Sequence, residues 1–366
     1  MKSKAKAVKM TLLITGGTGL VGQTLIRYLV EKTEYGKEPD KIRLLIRNNR
    51  GNPYRQRFLL WCEEKNIDLV YGDLKTEKDV AAFTRVSDPQ SSILIHSGAI
   101  FNLWQPFELL YEVNVKGTKR ILTAFHENKI KKLIFISSVA VYGSQTSTNG
   151  RSITEDQPID LNRTHYELTK AIGDNLVQKY QKKYSKKLIT ILRPTAIVGG
   201  GGATLDLFSR MFLGNFVTLP RGGQDKISLV DVSDVARAII FFSDFQKGNG
   251  QTFNLVSFTT TVREFTQELG ITLHKSKISI LSIPLFIFKP MYHFARSFRR
   301  IKPAKEKSIL IPTLFDKLGQ DIWINSEKVK LAGFTSNVTL KESMKKFGTF
   351  INKNSWYARQ KFGITL

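Results

Sequence analysis

Thr11-Leu12-Leu13-Ile14-Thr15-Gly16-Gly17-Thr18-Gly19-Leu20-Val21-Gly22 reads as a buried strand, a tight turn and the first turn of a helix. Residues 11–15 carry apolar and β-branched side chains without strict alternation, as a strand covered on both faces requires. Glycines at 16, 19 and 22 permit a tight turn, close backbone approach to a pyrophosphate, and close contact between helix and strand. The free N–H groups of the helix N-terminus then offer partial positive charge to phosphates. A glycine triplet alone is weak. Here the strand before it and the helix after it are both legible, so Gly16, Thr18, Gly19, Leu20, Val21 and Gly22 are predicted to contact a nucleotide.

Working outward, similar apolar runs recur at 42–46, 67–71, 93–96, 133–137, 188–192 and 253–256. Helix-compatible stretches such as 20–32, 107–128 and 163–184 separate them. That βαβα order predicts an α/β protein with a Rossmann-type, doubly wound parallel sheet. The nucleotide-binding domain is expected over 1–257, with a substrate-loop insertion at about 199–228. Glycine-rich loops are expected at 199–202 and 221–223. Beyond Val256 the alternation fades, and 258–366 is expected to form a smaller C-terminal substrate-binding cap of helices and irregular segments.

Composition is ordinary for an α/β protein, but charge is not: 56 Lys and Arg against 31 acids give a net charge of +25. Such a field attracts anions, whether a phosphorylated cofactor, nucleic acid or an anionic membrane. A soluble lysine-rich surface explains it equally well. No helix-turn-helix or RNA-binding motif is present, so nucleic acid is not expected as a partner. One cysteine, Cys62, rules out an internal disulfide and fits a reducing compartment. The histidines at 96, 126, 165, 274 and 293 form no metal-ligand pattern, so no metal site is expected. Lys2, Lys4, Lys6 and Lys9 precede an apolar run, yet the glycine turn falls where a secretory leader would have its centre. The run 278–288 is too short to span a bilayer and contains Pro284, so a cytoplasmic protein is expected.

The second strand ends Ile46-Arg47-Asn48-Asn49-Arg50, with no acid to accept from a ribose 2′-hydroxyl. Arg47, with Arg50, suits a 2′-phosphate, which predicts NADP as preferred cofactor over NAD; a solvated basic loop is the other reading. For chemistry, carbonyl reduction needs a donor for the developing alkoxide, and a tyrosine beside an ammonium can serve. Tyr-x-x-x-Lys places both side chains on one helical face. It occurs at Tyr28/Lys32, Tyr71/Lys75, Tyr166/Lys170 and Tyr357/Lys361. Only Tyr166 follows a strand ending in serines, Phe135-Ile136-Ser137-Ser138-Val139-Ala140-Val141-Tyr142-Gly143. The catalytic set is therefore predicted as Ser138, Tyr166 and Lys170.

These motifs together resemble the extended branch of the short-chain dehydrogenase/reductase superfamily, the NAD-dependent epimerase/dehydratase family, over roughly residues 10–257. The resemblance implies that Asp73 and Leu74 contact the adenine, and that Ser97, Gly98 and Ala99 form a small-residue turn beside the cofactor. It also implies cofactor roles for Asn114 of Asn114-Val115-Lys116-Gly117-Thr118, for Pro194 and Val198 of the Arg-Pro segment, and for Tyr166 and Lys170. His96 is implied to be a packed residue. Family dehydratases carry Asp-Glu where this chain has Val139-Ala140, and epimerases carry an asparagine where it has Pro194-Thr195-Ala196-Ile197. The aromatic stretch Phe101-Asn102-Leu103-Trp104 is more like dihydroflavonol-reductase-like and sterol-dehydrogenase-like members. The expectation is thus an NADPH-dependent reductase of an apolar or lipid-like ketone or aldehyde. The alternatives are a nucleotide-sugar epimerase and, in another class, a non-catalytic NADP-binding regulator. A homodimer through 107–128 and 163–184 follows the family habit. Residues 271–305 contain no acid and surround the run 278–288 with Lys275, Lys277, Lys289, Arg296, Arg299, Arg300, Lys302 and Lys305. That pattern suits peripheral contact with an anionic membrane, or equally a buried cap helix with a basic edge.

Overall fold

In the computed structural model the described residues are 10–31, 39, 41–48, 53–101, 105–143, 151–160, 164–209, 211–212, 215–273, 278–288, 290 and 319–354. The apolar runs become β1 (Thr11–Thr15), β2 (Lys41–Ile46), β3 (Asp68–Tyr71), β4 (Ser92–His96), β5 (Lys132–Ile136) and β6 (Leu188–Pro194). Further strands are β7 (Ala196–Val198), β8 (Phe216–Pro220), β9 (Lys226–Asp231), β10 (Gln251–Leu255), β11 (Phe258–Thr261) and β12 (Ser279–Ile283). The main sheet has seven strands in the order β10-β6-β5-β4-β1-β2-β3. Every neighbouring pair in it is parallel.

Parallel neighbours need crossovers, and the helices supply them. They are α1 (Leu20–Glu31), α2 (Pro53–Glu64), α3 (Glu77–Thr84), α4 (Phe107–Tyr111), α5 (Gly117–Glu127) and α6 (His165–Lys183). After these come α7 (Ala203–Ser209), α8 (Val232–Phe242), α9 (Val262–Thr272), α10 (Glu327–Leu331) and α11 (Leu340–Lys353). A π-helical turn, Glu112–Lys116, joins α4 to α5. Alternate residues of β1 serve opposite cores: Leu12 and Ile14 pack with α1 and α8 residues such as Leu25 and Ile239, while Leu13 packs with Ile121 and Phe125 of α5. Strand order reverses between β1 and β4. The loops leaving those two strands therefore diverge and open a crevice.

A buried ion pair moors α6 to the sheet. Asp174 accepts from Arg193 of β6 through Nε at 3.0 Å and Nη2 at 2.8 Å, and from Ser137 Oγ at 2.5 Å. Ser137 is thereby committed to structure.

The segment expected as an insertion and the residues beyond 258 share a second core. Val198, Phe208, Val217 and Leu229 pack with Phe265, Leu269, Met344 and Phe347. Strands also continue past Val256, where helices and irregular chain were expected: β11 pairs antiparallel with β9, and β12 pairs parallel with β8. The helix α11 starts with a capping box between Thr339 and Glu342. It is bolted to the β9–α8 junction by Ser343 Oγ donating to Asp231 Oδ2 at 2.6 Å and by Lys346 Nζ donating to Ser233 Oγ at 2.7 Å. Among the described residues, no helix is long and apolar enough to cross a membrane and no cluster of His, Cys, Asp or Glu could hold a metal.

Candidate active site

The crevice at the β1/β4 reversal is a cavity of about 910 Å³. Its floor is the glycine turn. Gly16 has φ +75°, and a Cβ there would lie 2.7 Å from Gly98 N, so only glycine lets the two loops meet. At Gly22 a Cβ would come 2.3 Å from Gly16 O, which is the close helix–strand approach the triplet required. Gly19 N closes the turn by donating to Gly16 O at 2.9 Å.

Of the residues expected at the cofactor, Gly16, Thr18, Gly19, Leu20, Arg47, Asp73, Leu74, Ser97, Gly98 and Ala99 line this cavity. Others stand behind the lining. Val21 packs into the apolar core, Gly22 forms the turn's back, and Val198 is fully buried in the second core. Pro194 is buried within β6. Asn114 is spent inside the protein: its Oδ1 accepts from Ile100 N at 2.8 Å, and its Nδ2 donates to Ile100 O at 3.2 Å and Thr169 Oγ1 at 3.1 Å. It thus ties the loop after β4 to the helix that carries Tyr166.

The cavity is cationic. Arg27, Arg47, Arg55 and Lys75 line it against one carboxylate, Asp73. Arg55 Nη2 donates to Arg47 O at 2.7 Å, and burial together with the nearby Arg47 charge lowers the Arg55 guanidinium from its usual value. Several arginines lining one cavity favour an anion there. Arg50 lies outside the described residues. Sequence reasoning missed Arg27, Tyr54 and Arg55, because they reach the cavity from α1 and α2 through tertiary packing and follow no local spacing. The close-packed glycine turn, the arginines and a cavity of this size fit a nicotinamide dinucleotide.

A chain of hydrogen bonds runs from the glycine turn to α6. Thr118 Oγ1 donates to Asn114 O at 2.7 Å, so it must accept from His96 Nε2, 3.1 Å away. His96 Nδ1 then accepts from Thr15 Oγ1 at 2.7 Å, and Thr15 Oγ1 accepts from Gly98 N at 3.1 Å. Burial, and next the Lys170 charge, push the His96 imidazole down to about 3. It stays neutral and acts as a packed hydrogen-bonding residue.

Ser138, Tyr166 and Lys170 do not line this cavity; Ile100, which does, is hydrogen-bonded to Asn114, and Asn114 to Thr169 on the helix of Tyr166 and Lys170. Ser138 Oγ accepts from Ala140 N at 3.1 Å as the cap of the short turn Val139–Tyr142. One turn after Tyr166, buried Lys170 donates from Nζ to Ile136 O at 2.9 Å, two residues before Ser138 on the same strand end. Burial lowers this ammonium to about 8, although the Asp174 carboxylate opposes the shift. Tyr166 meets Phe101 edge to face, with ring centroids 4.7 Å apart and planes at 86°. Burial, and next the Glu167 carboxylate, raise its phenol, opposite in direction to the lowering expected from a neighbouring ammonium. The phenol is therefore protonated at neutral pH. Asn102, Leu103 and Trp104 lie outside the described residues; Phe101 is 53% exposed.

A family profile described as "NAD dependent epimerase/dehydratase family" matches residues 12–255. The UDP-glucose 4-epimerase of Vibrio cholerae is 28% identical over 293 residues, which is 76% of this chain and 80% of that protein. The human 3 beta-hydroxysteroid dehydrogenase type 7 is 27% identical over 229 residues, or 58% of this chain and 57% of its own. Among solved structures, a dTDP-glucose 4,6-dehydratase from Streptomyces venezuelae with NAD and TYD bound overlays with a TM-score of 0.70. It is 19% identical and covers 95% of this chain and 98% of that one, a likeness of fold.

Proposed function

Because the chain belongs to the NAD-dependent epimerase/dehydratase family, whose members are oxidoreductase-type enzymes, we propose that it reduces a carbonyl group on an apolar substrate with NADPH. The observation that carries this reading is the Tyr166 ring against the exposed Phe101 ring, with Lys170 one turn on and its buried ammonium bonded to Ile136 O, two residues before Ser138. Bound nicotinamide supplies the hydride. The chain's own residues do the rest. Ser138 orients the carbonyl oxygen, the protonated Tyr166 Oη delivers a proton to the developing alkoxide, and the Lys170 ammonium offsets the phenolate charge that results. Arg47 and Arg55 support a 2′-phosphate, and no acid on the β2 end competes for a ribose hydroxyl.

The test is a panel of ketones and aldehydes with NADPH, followed by absorbance of the reduced cofactor. Tyr166→Phe should lower turnover by at least about a hundredfold while NADPH still binds. A parent protein that binds NADPH yet turns over nothing would be a regulator, and the catalytic reading would be lost.

A second reading, a nucleotide-sugar epimerase, draws on the similarity to the Vibrio cholerae enzyme. Against it, Thr195 follows the Arg-Pro pair and both its N and Oγ1 donate to Leu255 O, at 3.1 and 3.2 Å. Interconversion of UDP-glucose and UDP-galactose would support that reading. The basic charge and the exposed apolar residues near β8 and β12 support contact with an anionic membrane surface in addition.

A further inference from the structure

The run Gly199–Gly202 is unexplained by the turn that binds phosphate, yet the structure gives each end of it a neighbour. A Cβ on Gly202 would lie 2.8 Å from Leu20 Cδ2, and one on Gly199 would lie 2.6 Å from Val232 Cγ1. Between them, a Cβ on Gly200 would lie 2.2 Å from Phe350 Cγ and within 2.6 Å of both Cδ atoms. Gly201, at φ +83°, leaves 3.6 Å between such an atom and Phe350 Cζ. The Phe350 ring therefore lies flat along the glycines, and no larger residue at 200 would admit it. It arrives from the last turn of α11, some 150 positions later in the chain.

Phe350 is not simply a core residue. The face of α11 that fills the second core is Leu340, Met344, Phe347 and Ile351. Phe350 is half-buried and lines the dinucleotide cavity with Gly200 and Gly201. Its ring also meets Tyr54 of α2 edge to face, with centroids 6.3 Å apart and planes at 79°, and Tyr54 lines the same cavity. The two rings thus join α2 and α11 at this cavity. Aromatic rings of this kind lose exposed apolar area when a ligand fills the cavity beneath them.

We propose that Phe350 is a cofactor-binding residue which, paired with Tyr54, latches the dinucleotide into its cavity and slows its release. The latch rests on the cofactor reading above and extends it to the C-terminal helix. Position 200 must be glycine because the latch ring occupies the space of its side chain. The anchoring of α11 through Asp231 and Ser343 holds the ring in place before the cofactor arrives, so binding does not have to order it.

The experiment is stopped-flow displacement of bound NADPH from the full chain and from F350A, F350L, G200A and Y54A, with thermal melts alongside. Release from F350A and Y54A should quicken by about five- to tenfold, the range for losing one aromatic pair. The KM for cofactor should rise in step, while the KM for the carbonyl substrate does not move. F350L should restore part of the retention by refilling the space. G200A, whose methyl displaces the ring, should behave as F350A does. Release from F350A at the parent rate, with an unchanged melt, overturns the latch alone. Failure of the unchanged protein to bind any nicotinamide dinucleotide overturns both the latch and the cofactor reading.

Discussion

Arg47 and Arg55 set the clearest residue-scale expectation. Each charge-assisted bond to a phosphate contributes about 1.5–3 kcal/mol. Arg47→Ala and Arg55→Ala should each weaken NADPH binding by roughly tenfold to a hundredfold and leave NADH nearly unaffected, as titration calorimetry with both cofactors would read. Equal losses for the two would remove the 2′-phosphate from the argument. His96 offers a pH test. Its folded value is about 3, below the usual 6.5, so between those values the unfolded chain binds the extra proton. Its contribution is fully present above pH 6.5 and is lost as pH falls through that window. The denaturant midpoint should drop on going from pH 7 toward 4, and His96→Asn, which cannot charge, should flatten that part of the loss. Lys170 has the opposite consequence for activity. With its ammonium lowered to about 8, the reductive kcat/KM should decline as pH rises past that value.

At the scale of elements, α6 carries Tyr166 and Lys170, and Asp174 holds it down. Breaking one partner of a buried pair costs about 3–5 kcal/mol, so Asp174→Asn should lower the unfolding free energy by that order, measured by urea titration. It strands the Arg193 charge, which also donates to Tyr142 Oη at 2.8 Å. This pairing was not legible in the sequence, since Asp174 and Arg193 follow no shared spacing. The seven parallel strands were legible because a strand buried on both faces must be apolar almost throughout, as β4 and β5 are. The strand β12 escaped because most of its residues are exposed, and β11 because Phe258–Thr261 is short and rich in threonine. In the site, the glycine turn and strand ends were legible because local chemistry dictates identity there, and Tyr166 and Lys170 because their helical spacing follows a strand ending in serines. Those missed, Tyr54, Arg55 and Phe350, come from helices whose faces are chosen only when the layers pack.

On the scale of the whole molecule, charge and exposed apolar surface point the same way. A net charge of +25 raises the local concentration of anions around every face. Close to the two-stranded β8–β12 sheet, Phe216 is 62% exposed, Leu281 60% and Phe286 76%. The pairing explains part of this. Val217 and Leu219 turn inward and are fully buried, which leaves Phe216 on the outer face, in register with Ser279 and two residues from the Leu281 partner Thr218. Lys275, Lys277 and Lys289 flank the run 278–288 in sequence and lie outside the described residues. Exposed apolar side chains on a strongly cationic protein partition onto anionic lipid, and each basic residue near the lipid surface adds about 1 kcal/mol at physiological ionic strength. The expected outcome is co-sedimentation with phosphatidylserine vesicles at low salt, little with neutral vesicles, and release as salt shortens the Debye length. Phe286→Ser should reduce the bound fraction severalfold without shifting the salt dependence, because it removes the apolar contribution and leaves the charge. A protein that stays in the supernatant with anionic vesicles at low salt would return the basic excess to the role of solubility and cofactor attraction.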